Sequence, residues 1–146
     1  MLMATYILIL DIEKNTRIIV GGLGDIAFEK GHYLYIGSAK KNLDKRIARH
    51  LRQEKKMHWH IDHILTQATV SILEVWMRAS DEECEASKML HDHSQTAIVR
   101  NGIGSSDCKC PTHFYCFKGT VSELTKSLRN FGFRRIWKGL ISDRRH

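Results

Sequence analysis

Apolar residues in the first third of the chain come in short runs, not at a helical period. Residues 5–12 (TYILILDI) are β-branched and aromatic and predict a buried strand. Arg17 to Val20 predicts a short strand that breaks at Gly21, Gly22 and Gly24. Ile26 to Glu29 resumes it, so residues 17–29 predict a β-hairpin. Beyond Gly31 a further strand runs from His32 to Ile36, with Tyr33 and Tyr35 on one face and Leu34 and Ile36 on the other. Gly37-Ser38-Ala39 ends it, and the period changes. Leu43, Ile47 and Leu51 recur at helical spacing in a helix from about Asn42 to Lys55, with Asn42, Arg46 and His50 on a neighbouring face.

The second half predicts a short helix over His60 to Leu65 and a strand over Val70 to Met77, apolar on both faces. Ser80-Asp81-Glu82-Glu83 is a capping box opening a helix to about His91. Thr120-Val121-Ser122-Glu123 repeats the box before a last helix striped by Val121, Leu124 and Leu128. Residues 101–112 (NGIGSSDCKCPT) are turn formers and predict a loop, and Phe114 to Phe117 predicts a closing strand. Strands first, then helices interleaved with strands, predict an α+β domain with a small, mostly antiparallel sheet flanked by helices.

The 146 residues suit one domain, 1–146, with a core over about 5–117 and a C-terminal helix and basic tail over 118–146. A composition of 42% hydrophobic and 27% charged residues excludes a disordered chain. The longest uninterrupted apolar run, Tyr6 to Leu10, is far short of a membrane span, and no export signal pattern opens the sequence. The expectation is a cytoplasmic protein with no membrane partner, its oligomeric state open. A single proline, Pro111, and the absence of repeats argue against flexible linkers.

Charge adds a partner to this picture. Lys and Arg number 23 against 16 Asp and Glu, a net charge of +7. Most of the excess sits between Lys40 and Lys56, where Lys40, Lys41, Lys45, Arg46, Arg49, Arg52, Lys55 and Lys56 face only Asp44 and Glu54. Arg129, Arg134, Arg135, Lys138, Arg144 and Arg145 form a second cluster. Concentrated positive charge is the electrostatic footprint of nucleic-acid binding, with a solvated helix face as the alternative for either cluster alone.

Cysteine placement adds a candidate metal site. Cys108, Cys110 and His113, with Cys84 on the preceding helix, supply three thiols and an imidazole, enough for tetrahedral zinc, whereas buried thiols are the plainer reading. Cys116 stands apart. In MHWHIDH (57–63), His60, His63 and Asp62 could contact a metal or a phosphate, although a structural role with Trp59 packed on the sheet is favoured.

The stretch from Gly31 to His50, GHYLYIGSAKKNLDKRIARH, resembles the GIY-YIG nuclease superfamily. Tyr35-Ile36-Gly37 matches the second half of its motif and Tyr6 the tyrosine of the first. Arg46 and His50 match the helix arginine and histidine, and Glu85 matches the acidic metal ligand. One subgroup of archaeal and bacterial single-domain proteins is similar over roughly residues 5–117. It shares the hairpin turn Val20-Gly21-Gly22-Leu23-Gly24, YIGSA (35–39), WHID (59–62), the Cys84-Glu85 pair and GSSDCKC (104–110). Ala4 stands where the motif has its first glycine, and the hairpin of residues 17–29 reads as an insertion between the two tyrosines. Asn101, Ser105, Ser106 and Asp107 are alternative counterparts of the family asparagine.

The resemblance implies a divalent-metal-dependent endonuclease acting on DNA, with RNA open, in a repair or recombination setting and beside a partner repair protein. Tyr6 or Tyr35 would handle the attacking water and His50 the proton. Arg46 would present a planar donor fork to the phosphate, and Glu85 would hold Mg²⁺ or Mn²⁺. Gly37, Ser38, Lys40, Lys41, Lys45, Arg49 and Arg52 would contact the nucleic acid. The alternative is a non-catalytic nucleic-acid-binding module that retains the nuclease fold. No nucleophile elbow or phosphate-cradling P-loop supports acyl or nucleotide chemistry.

Overall fold

Strand β1 (Ala4–Ile12) is buried on both faces, which explains its unbroken apolar run, and the sheet is built around it. The computed structural model describes residues 3–80, 83–105 and 110–139. Strand β4 (Gly31–Ala39) pairs antiparallel along one edge of β1, and β5 (Val70–Arg78) along the other. Strands β7 (Phe114–Phe117) and β6 (Thr96–Ile98) extend the sheet beyond β4, and β8 (Arg134–Lys138) extends it beyond β5. The result is a six-stranded antiparallel sheet of order β6-β7-β4-β1-β5-β8. Strands β2 (Thr16–Ile19) and β3 (Asp25–Phe28) form a separate two-stranded hairpin, turned by a 3-10 segment at Gly21–Leu23. The architecture is α+β, as the patterning predicts.

Each face of the sheet buries its own cluster. On one face Tyr6, Leu8, Leu10, Tyr33 and Tyr35 pack against the hairpin (Ile18, Ile26, Phe28), α1 (Leu43–Leu51) and α2 (His60–Leu65). On the other, Ile7, Ile9, Leu34, Ile36 and Trp76 pack against Ala86 and Leu90 of α3 (Glu83–His91) and Leu124 and Leu128 of α4 (Val121–Asn130). The alternation of Tyr33 and Tyr35 against Leu34 and Ile36 is therefore the division between two cores. The longest helix among the described residues, α4, has ten residues, and none is long and apolar enough to cross a membrane.

Three elements depart from the pattern-based expectation. Helix α1 ends at Leu51 rather than near Lys55. Its last turn is satisfied from outside the helix: Lys55 Nζ donates to the His50 carbonyl at 2.8 Å, and the chain turns away at Arg52 in an extended conformation. Strand β6 is three residues long and half-exposed, too short to show a period. Residues 134–138, expected in a basic tail, form edge strand β8: Trp137 packs on the sheet and Arg135 reaches Glu74 at 3.5 Å. Charged side chains on an edge strand discourage further pairing, which is why the segment reads as a polar tail. The capping box at Ser80–Glu83 passes through residues 81 and 82, outside the described residues, as do Ser106, Asp107, Cys108, Arg144 and Arg145.

The second capping box is complete. Thr120 Oγ1 accepts from the Glu123 N–H at 3.1 Å, and Glu123 accepts from the Thr120 N–H at 3.0 Å. Thr120→Ala should therefore cost about 1 kcal/mol of unfolding free energy, measured by urea denaturation.

Candidate active site

The antiparallel register of β1 and β4 sets Tyr6 opposite Gly37. A Cβ at position 37 would stand 2.3 Å from Tyr6 Cζ and 2.4 Å from its Oη, so the tyrosine ring occupies the space any other side chain would need. Tyr6 is 1% exposed, and its hydroxyl meets His50 Nε2 of α1 at 2.7 Å. Tyr35, two residues before Gly37, packs 6.5 Å from the Tyr6 ring and 6.0 Å from the His50 ring, centroid to centroid. The strand tyrosines and the helix histidine predicted from sequence thus form one buried cluster.

His50 takes a place in the core that the heptad-like stripe assigned to Leu51. Leu43, Ile47 and His50 are the buried positions of α1, and Leu51 is half-buried. Burial, with Lys55, Arg46 and Arg49 nearby, lowers the His50 pKa to about 3, so the ring is neutral at physiological pH. Its Nδ1 is buried without a hydrogen-bond partner, which favours the tautomer that leaves a lone pair, not an N–H, unsatisfied. In that form Nε2–H donates to Tyr6 Oη and holds the phenol in place. The resemblance implies proton transfer at this ring; the geometry shows it bonded to Tyr6 within the core.

A cleft of about 270 Å³ opens beside this cluster. Its floor is Tyr35, Gly37 and Ser38 of β4. Arg46 of α1, the His58-Trp59-His60 segment, Glu83 of α3, and Gly104 and His113 of the long loop form its walls. Arg46 Nη1 donates to the Ser38 carbonyl at 3.0 Å, and its guanidinium stands 4.7 Å from the centre of the Trp59 ring. The Gly104 N–H donates to His60 Nδ1 at 3.1 Å, and the His113 carbonyl accepts from the Ile36 N–H, so the loop is stitched to both α2 and β4. His63 is turned toward Gly21 of the hairpin. Among the alternatives for the asparagine, neither Asn101 nor Ser105 lines the cleft.

Among the described residues, the acidic side chain lining the cleft is that of Glu83. Glu85, the carboxylate expected from the resemblance, is exposed and lines no part of the cleft. The helix explains the difference in placement: Ala86, Ser87 and Leu90 are its buried positions, and Glu83 precedes them by three, four and seven residues, on the same face. Glu85 falls on the opposite side. That periodicity was the available signal. Glu83 Oε2 lies 3.3 Å from Nδ1 of the buried His113. Burial opposes charging of His113, yet its contacts with Glu83 and Cys110 outweigh burial and raise its pKa above the ordinary histidine value.

Burial also raises the pKa of both Tyr6 and Tyr35 well above the ordinary phenol value. Arg46 is the nearby cation that pulls the other way at each.

The cleft continues into a basic groove of about 520 Å³, sharing Ser38, Arg46 and Trp59 with it. Lys40, Lys41 and Lys45 line this groove and are exposed. Arg49 also borders it, but its guanidinium is committed elsewhere: both terminal nitrogens donate to the Asp62 carboxylate at 2.8 Å, and one also reaches the Lys56 carbonyl. Asp62 is fully buried and accepts from the His58 and Trp59 N–H groups as well; burial opposes its charge, but the Arg49 fork and these bonds hold its pKa below the usual carboxylate value. Arg49 and Asp62 are therefore a structural pair that carries Trp59 to the cleft. Arg52 is exposed at the end of α1 and lines neither the cleft nor the groove.

Cys84, Cys110 and His113 also converge. One ligating atom from each lies within 4.8 Å of the others, a group able to hold a metal ion. Cys108 lies outside the described residues.

The fold and site together define an α+β domain with a polar cleft where central strand β4, basic helix α1 and the start of α3 meet. The chain belongs to the family described as Domain of unknown function DUF123, whose model matches residues 5–133, past β7 and through α4. No curated protein and no solved structure matches it.

Two outcomes follow. Gly37→Ala must displace the Tyr6 ring and break its bond to His50, costing about 2 kcal/mol or more in chemical denaturation. Removing the hydroxyl in a Tyr6→Phe background should not restore it, because Cζ itself stands in the way. Because His50 is neutral in the fold but protonates near 6.5 when unfolded, stability is intact above pH 6.5 and is lost as pH falls toward about 3. The loss should approach about 1.4 kcal/mol per pH unit, read as the difference in pH dependence between wild type and His50→Gln.

Proposed function

We propose that this chain is a divalent-metal-dependent endonuclease of the GIY-YIG type that hydrolyses phosphodiester bonds in DNA. The observation that carries the reading is that Tyr35, Arg46 and Glu83 line one cleft, which opens directly into a groove bearing Lys40, Lys41 and Lys45. A phosphate backbone laid along the lysines would bring one phosphodiester to the arginine.

The cleft residues fit a hard divalent cation: Glu83 offers one carboxylate in a polar, open setting, which suits Mg²⁺ or Mn²⁺ that keeps most of its waters. When bound, such an ion supplies positive charge to the phosphate and favours a nearby phenolate. The protein's own groups do the rest. Arg46, half-buried and held by Ser38, presents its remaining donors to phosphate oxygens as charge builds on them. Tyr35 orients the attacking water and accepts its proton once cationic charge offsets burial. Arg46 provides part of that offset. Tyr35 takes that proton as a phenolate, its own proton having gone to solvent; the new P–O bond forms as the bond to the leaving oxygen breaks, and solvent protonates the departing oxygen. Tyr6, fixed by His50, holds the Gly37 backbone and the floor of the cleft in register. The Cys84, Cys110 and His113 group has softer donors and suits zinc, not magnesium.

Labelled duplex, single-stranded, flap, four-way-junction and abasic DNA, and RNA, are incubated with Mg²⁺ or Mn²⁺. Glu83→Gln and Tyr35→Phe should each lose about a hundredfold or more in cleavage rate, while Glu85→Gln should cut normally. Wild-type cleavage should climb with pH across the neutral range, as a phenol base requires. Cutting that survives both cleft variants would refute the site. Tight, salt-sensitive binding with no cutting would instead support a nucleic-acid-binding module.

A further inference from the structure

Beside the cleft, at His113 on its wall, three side chains from two segments of the fold approach one another. Cys84 lies in the first turn of α3, and Cys110 and His113 flank Pro111 and Thr112 on the way into β7. Their ligating atoms lie within 4.8 Å of one another. In a tetrahedral zinc site, with Zn–S bonds near 2.3 Å, neighbouring sulfur atoms stand about 3.8 Å apart. The group is thus within about 1 Å of closure without any change of fold.

The two segments are held in place independently of the ligands. Ser87, one turn beyond Cys84, donates through Oγ to the Thr112 carbonyl at 2.9 Å. The Tyr115 hydroxyl lies 2.8 Å from Ser87 Oγ and 3.2 Å from the same carbonyl. All three residues are buried, so the network fixes α3 against the strand that follows the loop. His113 is itself buried, with the Glu83 carboxylate 3.3 Å from Nδ1, the kind of partner that orients a metal-bound imidazole. Two thiols and an imidazole are soft and borderline donors, which select zinc over magnesium.

We propose that Cys84, Cys110 and His113 bind a zinc ion that clips the start of α3 to the loop before β7. The site is structural and does not depend on the reaction proposed for the cleft. Its consequence for the cleft is positional. Glu83 immediately precedes Cys84 and contacts His113, so the clip holds both sides of that carboxylate.

The full chain, purified under reducing conditions without chelator, is assayed for metal by elemental analysis, reloaded with Co²⁺ and melted with and without chelator. Wild type should carry about one zinc per chain and give a cobalt–thiolate charge-transfer band. Chelation should lower its thermal midpoint by about 5 °C or more. Cys84 is exposed, so Cys84→Ser should fold yet lose the zinc, the band and the response to chelator. Cys116→Ser should keep all three. A metal-free chain that takes up no stoichiometric zinc, zinc retained equally in Cys84→Ser and Cys110→Ser, or a Cys84–Cys110 disulfide under these conditions would each overturn the assignment. None of these readouts requires nuclease activity.

Discussion

The close approach of Tyr6 and Gly37 is the constraint on which the site depends. The two residues are partners across β1 and β4, and the aromatic ring of one fills the space above the other. With that space filled, the Tyr6 hydroxyl reaches inward to His50, and α1 is drawn down so that a histidine occupies a core position. The bond between two otherwise costly buried polar groups ties helix to sheet at one point. Arg46, one turn before His50, is then carried to the rim of the cleft. A glycine that ends an aromatic and aliphatic run in the sequence is, in three dimensions, the position that lets the central strands hold a tyrosine between sheet and helix.

The basic segment from Lys40 to Lys56 divides into two kinds of cation. Lys40, Lys41 and Lys45 remain in solvent along the groove. Arg49 and Lys55 are turned inward: Arg49 neutralises the buried Asp62, and Lys55, its pKa lowered to about 8 by burial, ends the helix on the His50 carbonyl. The Asp62 carboxylate, with four donors around it, orders the His58–Trp59 segment, and Trp59 in turn lies against both Arg46 and Arg49. A charge count over the segment treats these residues as equals, whereas their geometry separates Lys40, Lys41 and Lys45, exposed along the groove, from Arg49 and Lys55, which are bonded inward.

The two faces of the sheet also divide the labour. The face carrying α1, α2 and the hairpin holds Tyr6, Tyr33, Tyr35, His50 and Arg46. The face carrying α3 and α4 is an apolar core, and α3 rises at its edge so that Glu83 reaches the cleft while Ala86 and Leu90 stay in the core. His113 joins the two arrangements, since it contacts Glu83 and belongs to the group formed with the two thiols.

Local pattern was enough for the elements with a strong period or cap. The buried strands, the hairpin broken by glycines, α2 and the Thr120 cap all follow from residue type and spacing, because their stability is decided within a few residues. Tyr6, Tyr35, Arg46 and His50 are grouped by their resemblance to a motif, and it is the register of β1 with β4 and the packing of α1 that bring them together. What the tertiary structure decided is where side chains point once elements meet. Glu83 rather than Glu85 faces the cleft because the buried side of α3 is set by the core it covers. Arg49 belongs to Asp62 because α1 and α2 pack side by side, and residues 134–138 become a strand because β5 offers them an unpaired edge. Such choices rest on contacts between residues far apart in the chain, and a sequence read locally carries no direct sign of them.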